Sequence, residues 1–396
     1  MPNRDDDHTG ARIAEHRKLA GYTQRGFAQR IPYSYSLLTQ VESGHKTASP
    51  DFIAACAREL HVDVTLLTGQ PYVTELQQDR LNGLIRPIRE ALDLYDLGPD
   101  PDLRTRPALE LAADADRLCS LVRATQLNKA AQALPRLVAE LTTAAHRTPS
   151  TDLWGALGST YRTAHDVAVK LGFYDLSTIA LDRMSWAAER ASDPLLAAVR
   201  QYMRALVYFR EGEHTIGLRL VATGHGYIGR GEMTVEARAV AGQLHLGATV
   251  IAARARDKDA VKEHLKEAGR CAKETGEAGH VHWLSFGPAN VAAHEMSAKV
   301  EMRQYGEAVG MAKEVTMKLP ATWATSRRAH VYIDTARAEM ETGRTEAALK
   351  SLVKARELAP QQTRYHPGAR ETIKGLVHTA RRTPDTLNHM AAWIGL

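Results

Sequence analysis

Tyr35, Ser36, Thr39 and Gln40 bring three hydroxyls and one amide together near the amino end. These groups both donate and accept hydrogen bonds, which is what base edges in a DNA major groove require. At about 100° per residue they share one helical arc, while Leu37, Leu38 and Val41 share another. The apolar arc is the side to bury, and the polar arc then faces outward. Six basic residues (Arg12, Arg17, Lys18, Arg25, Arg30, Lys46) and two acidic ones (Glu15, Glu42) lie in 11–50, so this segment carries 6 − 2 = +4 of the chain's +5. A concentrated positive charge suits a phosphate backbone.

Other chemistry is less well supported. Gly224, Gly226 and Gly229 fit G-x-G-x-x-G, but a dinucleotide site needs a preceding strand and a βαβ frame. The flanking pattern is helical, so this stretch is expected to be a loop between two hairpins. His280 and His282 have no third and fourth ligand at the spacing a metal site needs. No H-E-x-x-H, G-x-S-x-G or Walker-type loop occurs in the sequence. No enzyme activity, cofactor or metal is therefore expected.

The elements that must position the polar arc are short. A first helix is expected over 11–20, with Gly21 as a left-handed stop. Thr23 caps a second, whose apolar face is Phe27, Ala28 and Ile31. Pro32 ends it, because a residue before proline is pushed out of the α region. Ser34 caps the third helix, which stops at Gly44. Ser49 caps a fourth with Pro50 at its first position, and 61–69 holds a fifth. Together they describe a helix-turn-helix domain over 11–69. Residues 1–10, with Asp5, Asp6 and Asp7, read as a disordered tip.

This segment resembles the lambda-repressor-like (xenobiotic-response-element) helix-turn-helix family. The run from Thr23 and Gln24 to Glu42, Ser43 and Gly44 matches T-Q-x-x-x-A … S-x-x-x-L-x-x-x-E-x-G without a gap. The resemblance implies that Gln24 braces phosphate and recognition helix, and that Tyr35, Ser36, Thr39 and Gln40 reach bases. It implies that Ser43, His45, Lys46 and Thr47 lie near the DNA backbone. Arg25 and Ser34 complete the candidate DNA-contacting set. Arg17 and Glu42 are implied to form a buried pair fixing the first helix against the third. Pro32 and Tyr33 stand where the family usually has glycine and a small aliphatic. Proline cannot take a left-handed conformation, so the turn is expected to be rebuilt. Gly26 weakens the second helix by about 1 kcal/mol relative to alanine.

A hinge at 70–72 leads into helical patterns, with breaks at 97–107, 146–150 and 360–368. Short turn elements recur from Leu171, Glu211, Ala255, Met302 and Thr342, at spacings of 40, 44, 47 and 40 residues. Each unit is a helical hairpin that cannot bury its apolar faces alone, so neighbours must stack. The units resemble tetratricopeptide repeats. The last one carries Tyr332, Ala336, Gly343, Ala348, Ala355 and Pro360 at repeat spacing, and the one before it keeps Tyr305, Ala308 and Pro320. Residues 73–150 read as atypical helical hairpins and 151–396 as the repeat domain. In such a stack the first helix of each pair lines a concave face. The candidate ligand-binding residues there are Tyr161, His165, Tyr202, Arg204, Gln243, Trp283, Asn290, His294, Arg328 and Asp334.

The expected fold is all-α, a five-helix helix-turn-helix domain followed by a tetratricopeptide-like α-solenoid. Hydrophobic residues are 44% of 396 and no apolar run nears a membrane span of about 18 residues. The amino end lacks an apolar segment, so no secretory signal is expected. Cys56, Cys119 and Cys271 are too scattered for a disulfide framework, and a cytoplasmic location is expected. The architecture resembles the peptide-pheromone-receptor regulators. It implies a one-component transcriptional regulator that binds double-stranded DNA as a homodimer and senses a peptide or small-molecule effector. The alternative is a protein-interaction adaptor whose array binds a partner protein. A sensor should enclose its polar groups; an adaptor should present an open groove.

Overall fold

The computed structural model describes residues 8–70, 75–320, 323–380 and 384–395, with only the backbone described over 75–82. The 5–7 tip and most of the 70–72 hinge lie outside the described residues. All regular elements among the described residues are helices, with one isolated bridge between Ala278 and Phe286.

Five short helices form the head: α1 (Thr9–Leu19), α2 (Gln24–Ala28), α3 (Tyr35–Glu42), α4 (Pro50–Leu60) and α5 (Val64–Thr68). Every one begins on a side-chain cap. His8, Thr23, Ser34, Ser49 and Asp63 accept from the backbone N–H of Ala11, Gly26, Leu37, Phe52 and Thr65. Each such cap stabilises its helix by about 1 kcal/mol, which matters for helices too short to persist alone. Ile13, Phe27, Leu38, Val41, Phe52 and Leu67 bury themselves between the five. Residues 8–10 do not belong to a disordered tip. Thr9 and Gly10 are buried in the first turn of α1, and the Thr9 hydroxyl donates to Glu371 at 3.0 Å.

After the head come α6 (Glu75–Leu92), α7 (Ala108–Arg123) and α8 (Leu127–Arg147). Arg106 pins the loop between α6 and α7 through Asp114 (2.6 Å) and Glu140 (2.5 Å). Five hairpins follow: α9 (Thr151–Leu171) with α10 (Tyr174–Ala191), α11 (Pro194–Glu211) with α12 (His214–Ile228), α13 (Val235–Ala255) with α14 (Lys258–Thr275), α15 (Pro288–Glu301) with α16 (Tyr305–Met317), and α17 (Thr325–Glu341) with α18 (Thr345–Leu358). The five tight turns fall where the sequence spacing places them. Three helices, α19 (Pro360–Tyr365), α20 (Pro367–Thr379) and α21 (Asp385–Ile394), close the chain.

Two sequence expectations are corrected here. The 360–368 stretch is not simply a break, since α19 forms on Pro360 at its first turn. The Gly224, Gly226, Gly229 stretch is no loop. Gly224 and Gly226 lie inside α12, and Gly229 is its C-terminal cap. Gly224 serves close packing, because a Cβ there would stand 2.8 Å from the Leu244 side chain.

The array curls back on its own beginning. The Lys170 ammonium of α9 donates to Gln362 (2.7 Å), the Leu127 N–H to Gln361 (3.1 Å), and the Trp283 indole to Asp116 (3.3 Å). The inner faces of α9, α11, α13, α15 and α17 therefore look at each other.

Candidate nucleic-acid interface and inner polar face

On α3, Leu38 and Val41 are buried, whereas Tyr35, Ser36 and Gln40 are exposed and Thr39 is half-buried. The Gln40 amide donates to the Ser36 hydroxyl (3.2 Å), and the Thr39 hydroxyl donates to the Tyr35 carbonyl (3.0 Å). The Arg25 guanidinium lies 5.8 Å from the Tyr35 ring centroid. The outer face of α3 is thus a row of adaptable polar groups with a cation beside it. Ser34 caps this helix at its solvent-facing start.

What holds α3 in place is buried charge. Glu42 accepts from Arg17 at 2.7 and 2.9 Å and from the Gln24 amide at 2.7 Å, while Arg17 also donates to the Tyr22 carbonyl (2.7 Å). The Arg17 and Glu42 side chains are 7% and 4% exposed. A fork of this kind is geometrically strict. It ties the first, second and third helices to one carboxylate.

The turn between α2 and α3 is indeed rebuilt. No residue from 29 to 34 has a positive φ. Pro32 is exposed, and the Tyr33 ring packs against Phe52 while its hydroxyl donates to Asp51 (2.8 Å). Burial, with the Asp51 charge beside it, raises the Tyr33 hydroxyl above its ordinary range. Burial alone would also raise the Asp51 carboxyl. The Ser49 hydroxyl, the Arg303 charge and the Tyr33 hydroxyl outweigh it and hold Asp51 down at about 2.

Beyond α3, the Ser43 hydroxyl meets His45 Nδ1 at 2.7 Å, and His45 and Lys46 are exposed. The next residues lean on the array. The His45 ring is 5.8 Å from the His378 ring, and a Cβ at Gly375 would stand 3.2 Å from Thr47 Cγ2. Further ties join head to array. Arg303 donates to Asp51 (2.6 Å) and Ser49 (3.1 Å), and Arg58 donates to the Gly212 carbonyl (2.7 Å).

The inner face of the array carries a chain of hydrogen bonds across four helices. The Gln243 amide donates to the Tyr202 hydroxyl (2.9 Å), Asn290 Nδ2 to Gln243 Oε1 (3.1 Å), and Arg327 Nε to Asn290 Oδ1 (2.9 Å). Arg327 also points a guanidinium nitrogen at His294 Nδ1 (2.9 Å). His294 Nδ1 also lies 2.9 Å from the Asn290 carbonyl, so it accepts from Arg327 in one tautomer and donates to Asn290 in the other. Burial, with Arg327 next to it, keeps His294 well below its ordinary pKa. Asp334 accepts from Ser297 (2.5 Å) and lies 3.7 Å from His330. His330 keeps 35% of its side chain accessible, yet burial and the Arg327 and Lys170 charges push it down to about 3.

Of the sequence candidates, the structure brings Tyr202, Gln243, Asn290, His294 and Asp334 onto this face. His165 is buried against the Ser177 carbonyl (3.1 Å). Tyr161 is fully buried in the apolar core, Arg204 bonds to Gln201 of its own helix (3.0 Å), and Trp283 is spent on Asp116. Arg328 is half-buried, and it is its neighbour Arg327 that joins the network. Sequence reasoning missed Arg123, Arg162, Asp166, Lys170, Arg327, His330 and His366. One signal was present: Arg162, Asp166 and Lys170 recur every four residues, a polar stripe along α9. Arg123 pairs with Asp166 at 2.7 Å, and burial pushes Lys170 down to about 8 despite Asp166. Among the described residues no group of three or more His, Cys, Asp or Glu stands where it could hold a metal ion, and no helix is long and apolar enough to cross a membrane.

A capped five-helix head with an outward polar helix defines a helix-turn-helix DNA-binding domain. A family model described as a helix-turn-helix domain matches residues 8–68. Over 53 residues, 13% of this chain, the protein is 42% identical to the uncharacterized HTH-type transcriptional regulator YazB of Bacillus subtilis, covering 77% of it. Over 74 residues, 18% of this chain, it is 36% identical to the propionyl-CoA carboxylase regulator of Cereibacter sphaeroides, covering 16% of that protein. The chain thus matches only a small share of the latter's length. No solved structure matches. Through its head, the chain belongs to the helix-turn-helix transcriptional regulators.

Proposed function

We propose that this protein is a one-component regulator that reads operator DNA with α3 and senses a peptide or small-molecule effector on the inner face of a tetratricopeptide-like array. It acts as a homodimer, with two recognition helices about 34 Å apart on successive major grooves. The observation that carries the reading is the outward row of Tyr35, Ser36, Thr39 and Gln40 on a helix braced by buried charge. The continuous polar network of the inner face, with Lys170 bonded to Gln362 and Trp283 to Asp116, favours a sensor over an adaptor with an open groove. Operator selection from random duplexes tests the DNA arm. Ser36→Ala with Gln40→Ala should relax sequence preference by about 1–3 kcal/mol per lost base contact. Unchanged preference would refute α3 as the reading element.

A further inference from the structure

A cleft of about 520 Å³ lies where the head meets the array. Its head wall is Pro32, Tyr33, Ser34 and Leu37 with Asp51 and Arg58, and its array wall includes His214, Arg254, Arg256 and Arg303. Four guanidinium groups thus face a single lining carboxylate.

Much of this charge is not committed. Arg254 is satisfied by Glu301 (2.8 Å) and the Phe209 carbonyl (2.8 Å). Arg303 spends one terminal nitrogen on Asp51 and Ser49, and its buried Nε has no partner. Arg256 reaches only to 3.7 Å from Asp51, too far for a hydrogen bond, and is 57% exposed. Arg58 uses one nitrogen on the Gly212 carbonyl and approaches Glu213 only to 3.6 Å. The buried His214 Nε2 is also without a partner. Burial, with Arg254 and Arg58 nearby, lowers the His214 pKa. Unpartnered donors of this kind cost free energy until something accepts from them. Leu37, Ala54, Ala55 and Pro32 supply an apolar floor beside them.

We propose that this seam cleft binds a small molecule carrying an oxyanion on a short apolar body. Arg256, Arg303 and Arg58 hold the anion, and Leu37 with Ala54 and Ala55 holds the body. The site is separate from the inner face of the array. It abuts the start of the recognition helix and the Arg303–Asp51 tie, so an occupant competes with Asp51 for Arg303 and bears on how the head docks.

The test is calorimetric titration of the full chain with hexyl phosphate, hexanoate and the neutral hexanol. Chloride is matched across all titrations. Arg256 stands at φ +63°, so Arg256→Asn retains a residue that accepts a left-handed backbone. Wild type should bind at least one anion and not hexanol, and the stronger anion tells phosphate from carboxylate. Arg256→Asn and Arg303→Gln should each weaken binding about tenfold, the scale of one lost charge-assisted contact. Arg256→Asn should leave the unliganded melting temperature unchanged, which guards against a folding artefact in Arg303→Gln. No binding of either anion, or equal binding by wild type and Arg256→Asn, would overturn the site. Neither outcome touches the α3 reading, which is measured on DNA.

Discussion

At the scale of single residues, one carboxylate organises the head. Glu42 is buried and receives three donors from Arg17 and Gln24. Truncating one partner of such a pair strands the other charge in a low-dielectric site. Glu42→Ala should cost the head about 3–5 kcal/mol in urea denaturation, with sequence preference on DNA lost before overall helicity. A second residue-scale expectation concerns His330 and His366, whose rings meet edge to face at 5.1 Å. Burial and neighbouring positive charge depress both from 6.5 to about 3. The native state therefore binds fewer protons than the unfolded state between those values. Stability is present above pH 6.5 and is lost as pH falls from there toward 3. Melting temperature followed across that window should fall, and His330→Gln with His366→Gln should flatten the slope. An unchanged slope in the double variant would place the titrating groups elsewhere.

At the scale of elements, close approach between helices depends on what is missing. A Cβ at Gly10 would stand 1.8 Å from the Val41 carbonyl oxygen, so α1 rests directly on α3. Gly10→Ala must push them apart, straining the Arg17–Glu42 fork as well. The expected loss is at least the roughly 1–3 kcal/mol of ordinary overpacking, read by urea denaturation. The turn before α3 shows how an element survives an unfavourable sequence. Pro32 forbids a left-handed turn, and Tyr33 compensates by anchoring on Phe52 and Asp51.

At the scale of the whole molecule, head and array are joined by specific polar ties. One of them couples Asp51 to Arg303 and Tyr33. In a double-mutant cycle of Asp51→Asn and Arg303→Gln, the coupling should fall at about 0.5–3 kcal/mol. A coupling near zero would mean that the two side chains meet without holding the head.

The caps His8 and Asp63 were not legible in the sequence, but the helices of the head, the caps Thr23, Ser34 and Ser49, and the positions of the five array turns were. Each depends on local chemistry: a hydroxyl before a helix, a proline at its start, a recurring interval. The outward arc of α3 was legible for the same reason, since a short helix has one apolar side. Less was legible of the inner face. Arg327 rather than Arg328 joins the network because one position is a 100° rotation, and the rotation of α17 is set by packing on its neighbours. Arg123 comes from α7, outside the repeats altogether. Helix periodicity is a property of the chain taken a few residues at a time. Which distant side chains share one polar face depends on how the array curls until Lys170 meets Gln362, and no local pattern encodes that closure.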